Sequence, residues 1–250
     1  MRKIRRSAVV AVMIVTAVMS VMLSGCRKKY QEVALYKYTE NTDGTLTITE
    51  LTDKGKTEYE LTVPQELDGR KVSSIGDGAF RDDTFIKKVT IEDGVEYIGS
   101  NAFLSCYNLD EISIPKTVAD IGTNAFTETS WYSKQLSVSR NIIINDVLYE
   151  ADDNKSDYDI KDGIVTIASG VFYNNTNLTR VNIPSSVKNI GTYSFAGCSS
   201  LTEIKLPDGL ESIGYGAFAD SGLKEITVPG SVKDIGQDAF RGIDTVNMQK

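Results

Sequence analysis

An α/β-type solenoid is the fold class this sequence predicts: about seven coils of about 23 residues, with short parallel strands on one face and irregular or short helical segments on the other. Three observations predict it. Phenylalanine recurs at Phe80, Phe103, Phe126, Phe172, Phe195, Phe218 and Phe240, one repeat length apart except for a double step between Phe126 and Phe172. Five residues before each stands isoleucine, at Ile75, Ile98, Ile121, Ile167, Ile190, Ile213 and Ile235, followed by glycine everywhere except at Ala168. A third apolar column, eight before the ring, holds Val72, Val95, Val118, Ile164, Val187, Leu210 and Val232. A coil of this size cannot bury its apolar face alone, so neighbours must stack.

Counting alone removes several functions. The chain has no histidine, which excludes His-dependent triads and His metal sites, and its three cysteines fall short of a four-thiolate zinc site. A formal charge of −7 argues against a nucleic-acid partner held through phosphates. No metal or other cofactor is expected.

The N-terminus reads as an export leader at 1–25. Arg2, Lys3, Arg5 and Arg6 precede an uncharged, mostly apolar run from Ser7 to Leu23. A retained membrane helix is the rival reading, because a run of this length approaches the shortest span that crosses a bilayer. Leu23-Ser24-Gly25-Cys26 favours cleavage, since it resembles a bacterial lipobox. That resemblance implies a diacylglyceryl group on Cys26 and export to the cell membrane or surface, with the membrane as one partner. Residues 26–34 are then lipidated cysteine and linker, with Arg27, Lys28 and Lys29 at the headgroup level. Losing the four leader charges takes the formal charge from −7 to −11, and setting aside the three linker charges takes it to −14. The anchor is basic and the cargo acidic.

Residues 35–71 break the period. The alternation Thr45-Leu46-Thr47-Ile48-Thr49 and the run 59–63 predict a few strands that cap the first coil. From 72 to 250 the repeat takes over. Leu109-Asp110-Glu111-Ile112-Ser113-Ile114 predicts a short strand with Ile112 and Ile114 inward and Ser113 outward. Pro115, Pro184, Pro207 and Pro229 end such strands. The glycine after each isoleucine suits a tight turn and permits positive φ. The motif reads L-x-x-I-x-I-P-x-x-V-x-x-I-G-x-x-A-F, with Thr117, Ser186 and Gly209 where leucine-rich repeats usually carry Asn or Cys. It resembles the BspA-type leucine-rich repeat of bacterial surface proteins, from about Val72 to Phe240.

Between Phe126 and Phe172 the gap is two periods, with Tyr149 at the missing ring position and Ile144 five before it. A degenerate coil and a hairpin both fit. The run 141–149 favours a hairpin that keeps phase, giving an irregular insertion at about 131–158. Residues 241–250 predict a polar closing strand around Val246.

No catalytic or metal residues are assigned. Cys106 and Cys198 share one repeat position four coils apart, which at about 4.8 Å per rung is about 19 Å, beyond disulfide reach; they read as buried thiols. The run 152–159 begins like a calcium loop, but Asp157 stands where Gly is needed and Gly163 where Glu is needed, so a solvated acidic loop is expected. The sequons at Asn174 and Asn177 are taken as incidental. Candidate ligand contacts are the outward positions of the strands: Lys88, Glu111, Arg180, Glu203 and Glu225 in one column, with Thr90, Ser113, Asn182, Lys205 and Thr227 beside it. Trp131 and Tyr132 either clamp a ligand or plug the seam where the coils break. With the anchor implied by the lipobox, the reading is a lipid-anchored surface protein that binds an extracellular protein or glycan; the family resemblance implies adhesion to host or neighbouring-cell proteins, matrix glycoproteins among the partner classes. A structural spacer or envelope-assembly component is the first alternative and a polysaccharide-acting enzyme the disfavoured second.

Overall fold

Two apolar stretches per coil, each short enough for one strand, set the architecture. The computed structural model describes residues 31–250; the leader, Cys26 and Arg27–Lys29 lie outside the described residues. The first stretch of a coil forms a face strand, as in Lys88–Ile91, where Val89 and Ile91 are buried while Lys88 is exposed. The second forms a two-residue corner strand ending at the repeat isoleucine, as in Tyr97–Ile98 and Asp120–Ile121. Corner strands pair in parallel with the isoleucines in register: Ile48 with Ile75, Ile98 and Ile121, then Leu148 with Ile167, Ile190, Ile213 and Ile235. The seven phenylalanine-bearing coils are thus extended by a rung from the cap and a rung from the insertion.

Proline ends the face strand because its ring removes the N–H, yet its carbonyl is still used. Pro115, Pro184, Pro207 and Pro229 each accept the N–H three residues on, from Val118, Val187, Leu210 and Val232. After the corner strand the chain turns through the Ala-Phe pair, and these turns are stitched between coils. Phe80 N–H donates to Ala102 O, Phe103 to Ala125 O, Phe172 to Ser194 O, Phe195 to Ala217 O and Phe218 to Ala239 O, each at 2.8 Å. Phe80 and Phe103 meet at a tilt with centroids 4.9 Å apart, and Phe103–Phe126, Phe172–Phe195 and Phe195–Phe218 stack at 5.6, 5.1 and 5.3 Å. Burying one such ring stabilises by about 1.5–3 kcal/mol relative to exposing it.

The glycine column has a different cause from positive φ. None of Gly76, Gly99, Gly122, Gly191, Gly214 and Gly236 has positive φ. A Cβ on Gly99 would lie 2.5 Å from Asp77 N, and one on Gly214 2.6 Å from Gly191 C, so glycine lets adjacent coils touch backbone to backbone. Positive φ falls instead two residues either side of the phenylalanine, at Gly78 and Asp82, Asn101 and Ser105, Asn124 and Glu128, Gly170 and Asn174, and on through Asp238 and Gly242. Most of these are Gly, Asn or Asp, the residues that tolerate that region.

The boundary placed between 71 and 72 falls inside one strand, Arg70–Ile75. The cap strands Tyr36–Glu40 and Leu46–Leu51 are antiparallel, and the second already supplies the first corner rung. Glu60–Val63 pairs in parallel with Lys88–Ile91, so the strand face begins inside the expected cap.

The insertion departs from expectation in two ways. It opens with a helix, Ser130–Val138, N-capped by Thr129, whose hydroxyl accepts Tyr132 N–H at 3.0 Å. The expected hairpin follows as Ile142–Ile144 against Val147–Glu150. Its register is the second departure: Leu148, not Ile144, fills the isoleucine column, because Leu148 lies opposite Ile167. The corner ladder therefore breaks between Ile121 and Leu148, and Ser169 N–H donates past the hairpin to Ile121 O. Two apolar clusters result. One runs from Tyr36 to Tyr149 and also takes in Ala168, the other runs from Leu148 to Ala239, and Val171 is packed against both.

At the far end Thr245–Met248 pairs in parallel with Glu225–Val228. Val246 and Met248 stand in register with buried Ile226 and Val228 but are themselves exposed.

Candidate functional site

Face strands place alternate side chains outward at one spacing, so outward positions of successive coils line up. Lys88, Glu111, Arg180, Glu203 and Glu225 are all exposed, as are Ser113, Asn182, Lys205 and Thr227; Thr90 is half-buried. One continuous strand ladder does not back the column. The face strands form three groups: Glu60–Val63 with Lys88–Ile91 and Glu111–Ser113; Asp157–Asp159 with Arg180–Asn182; and Glu225–Val228 with Thr245–Met248. Glu111–Ser113 is an edge because the helix follows where the next strand would pair. Ile112 and Ile114 are accordingly only half-buried. Residues 201–206 form no strand, so Glu203 bridges the second and third groups without ladder support.

Neighbouring charges in the column answer one another. Lys88 Nζ lies 3.4 Å from Glu111 Oε2, and Arg180 reaches Asp157 at 3.6 Å and Asp159 at 3.5 Å. Glu225 accepts a hydrogen bond from the Asn247 amide. Among the described residues Glu203 has no ion-pair partner, and with Glu225 it makes two successive acidic rungs. Exposed pairs of this kind are worth about 0–1 kcal/mol, so a partner can rearrange them at little cost. Glu60 and Asp157 also belong to the column, opposite Lys88 and Arg180 in register. Asp157 had a signal in the sequence, one repeat length before Arg180, but the acidic run around it obscured the phase.

Trp131 and Tyr132 are not on this face. Both are half-buried on the inserted helix and packed against the first cluster. The Trp131 ring meets Phe126 edge-on at 5.1 Å, and Tyr132 meets Tyr149 at 6.4 Å. The Tyr132 hydroxyl donates to Glu150 Oε2 at 2.8 Å, and burial pushes its pKa far above the ordinary phenol value. Both rings pack at the seam where the regular coils break.

The cysteines act as small buried donors. Cys106 Sγ–H donates to Phe80 O and Cys198 Sγ–H to Phe172 O, each at 3.0 Å, and burial pushes both thiols up to about 12. The acidic run is tied up locally: Asp152 Oδ1 accepts Asn154 N–H, and Asp157 and Asp159 face Arg180.

The BspA-type leucine rich repeat region matches in six copies over residues 65–155 and 135–247. The chain belongs to the BspA-type leucine-rich repeat family. No curated protein matches it. Among solved structures, it is similar to the leucine-rich repeat protein of T. pallidum at 22% identity, covering 88% of this chain and 86% of that one, with a TM-score of 0.41. A leucine-rich cell surface protein from Faecalibacterium prausnitzii is 18% identical, with 90% and 96% covered and a TM-score of 0.42. The pneumococcal vaccine antigen PcpA is 17% identical, with 89% and 82% covered and a TM-score of 0.43. In this BspA-type chain the repeat columns hold the scaffold, and the outward face positions are left free to vary in charge.

Proposed function

We propose that this BspA-type protein is a bacterial cell-surface binding protein, tethered by lipid at Cys26, whose strand face recognises an extracellular protein or glycan in an adhesive role. The observation that carries the reading is the outward column itself: exposed, charged side chains on successive coils, with Glu203 and Glu225 two consecutive acidic positions that make no ion pair among the described residues. Solenoids of this kind bind through extended repeat surfaces. Binding rather than chemistry is favoured because the repeat columns occupy most of each coil with scaffold residues. The leader and lipobox of the sequence support export and anchoring. Repeated acidic rungs favour a partner with a basic patch, since complementary charge steers encounter and fixes register.

The test is capture from host and bacterial surface extracts, followed by titration of the purified partner. The double variant Glu203→Lys/Glu225→Lys should bind about tenfold or more weakly, and the loss should shrink as salt rises. Unchanged affinity would remove the strand face as the site. A chain that captures nothing, while its deletion alters the envelope, would favour the spacer role.

A further inference from the structure

Three tyrosines outside every apolar column stand in line on successive coils. Tyr173 follows Phe172, Tyr193 precedes Phe195 by two residues and Tyr215 precedes Phe218 by three. Their rings meet edge to face, Tyr173–Tyr193 at 6.1 Å and 60°, Tyr193–Tyr215 at 5.2 Å and 84°. Tyr173 is 55% and Tyr215 38% exposed. The Tyr215 hydroxyl donates to Asp238 Oδ2 at 3.3 Å.

Folding does not ask for a tyrosine at the centre of this line. Tyr193 has φ 54°, in a column otherwise held by Gly78, Asn101, Asn124, Gly170, Gly216 and Asp238. A bulky residue there is a backbone outlier, and such strain persists where the surroundings enforce it and where it serves a site. The surroundings do enforce it. A Cβ on Gly216 would fall 2.5 Å from Tyr193 Cε1, so the ring lies over a position the next coil keeps bare. Strained backbone, cleared floor and flanking rings together hold an aromatic stripe at the surface, along the turns that carry the phenylalanines and away from the strand face.

The chemistry around the stripe selects its ligand. Arg241 is ion-paired with Asp220, and Asp238 accepts the Tyr215 hydroxyl, so each charged group beside the stripe already has a partner. An anionic ligand would meet the two aspartates, and a cationic one would meet Arg241. A purely apolar partner would strand phenol hydroxyls and carboxylates without hydrogen bonds. A neutral pyranose chain satisfies both kinds of group, with C–H faces for the rings and hydroxyls for Tyr215, Asp220 and Asp238. Tyrosine suits this use, because it offers a rigid amphipathic contact at low entropy cost. We propose that Tyr173, Tyr193 and Tyr215 form a binding stripe for a neutral glycan chain lying along successive coils, a site separate from the strand face.

Affinity electrophoresis of the full chain through gels containing a soluble mixed-linkage β-glucan, a galactomannan or an α-glucan tests this, with polylysine and a sulfated polysaccharide as charged comparators. At least one neutral polysaccharide should retard the protein. Tyr173→Ala/Tyr215→Ala, which alters only exposed rings, should weaken that retardation about tenfold or more. Tyr193→Gly, which installs a residue its column favours, should do the same with an unchanged far-UV circular dichroism spectrum. The strand-face variant Glu203→Lys/Glu225→Lys should bind the glycan as wild type, which separates this site from the proposed adhesive face. Absence of retardation by all three neutral polysaccharides, retardation that survives both tyrosine variants, or tyrosine-dependent preference for polylysine or the sulfated polymer would each overturn the proposal.

Discussion

Asp120 sits on a corner strand opposite Tyr97, with its Oδ1 buried and without a hydrogen-bond partner among the described residues. Burial raises its pKa above the ordinary carboxylate value. An acid whose folded-state pKa is raised holds its proton more tightly when folded. The penalty for burying its charge is therefore present above the folded pKa and absent below the unfolded one. Asp120→Asn removes the charge at similar volume, so it should stabilise the protein at pH 7 by an amount on the order of 1 kcal/mol. That gain should fade as pH falls and be gone below about pH 4. Thermal melts of both proteins at pH 7 and at the acid end check this; a gain that did not change with pH would mean charge burial is not its source. Farther along the corner ladder, Ser212, Asn189 and Thr166 bond side chain to side chain at the equivalent position, so polar residues there are satisfied when neighbours match. At this scale sequence reading had the right residues and, for the glycines, an incomplete cause. A recurrent Ile-Gly column, broken only by Ala168, shows that a side chain is disfavoured there. Whether a backbone angle or the preceding coil forbids it depends on a contact one full coil away.

Between coils the stitching bonds explain what Tyr149 does. Phe80 and Phe103 donate to carbonyls of the following coil, but Phe126 faces the hairpin, and its N–H donates instead to the Tyr149 hydroxyl at 3.0 Å. The ring lies 5.5 Å from Phe126 and the oxygen stands in for a missing backbone acceptor. Tyr149→Phe keeps the ring and orphans a buried N–H, so it should cost about 1–3 kcal/mol. Urea denaturation should give a lower midpoint with an unchanged slope. A midpoint equal to wild type would mean that Phe126 N–H finds another acceptor. Spacing singled out Tyr149 as the ring that would follow Phe126, and the ring does meet Phe126, but in register it stands one residue after Leu148, at the Ala168 position, so the phase of its hairpin was not legible. Val147, Leu148 and Tyr149 are all buried in succession, wedged between coils, so alternation gives no phase there. The helix at Ser130–Val138 was missed for a related reason: no residue in it is fully buried, and its clearest local signal is the Thr129 cap. The strand columns were legible residue by residue, but their division into three groups was not, because it follows from where the helix and the unpaired segment 201–206 interrupt them.

Across the whole molecule the insertion separates two stacks of rings. Phe80, Phe103 and Phe126 end on Trp131 and Tyr149, and a second series starts at Tyr158 against Phe172 and runs to Phe240. The corner ladder breaks at the same place, leaving Val171, Ala168 and a few crossing hydrogen bonds to join the halves. In a stack held by nearest neighbours, damage spreads only as far as the coupling between coils carries it. Phe218→Ala, deep in the second cluster, should cost about 3–5 kcal/mol there. Its effect on amide exchange should be unequal. Protection should fall at Phe172, Phe195 and Ile213, whose N–H groups lie in the second stack, while Ile75, Ile98 and Phe103 keep most of theirs. Native-state hydrogen exchange on the variant reads this directly. An equal loss on both sides of the hairpin would show that the seam transmits stability as well as a regular coil does, and would make the solenoid one cooperative unit despite its broken ladder.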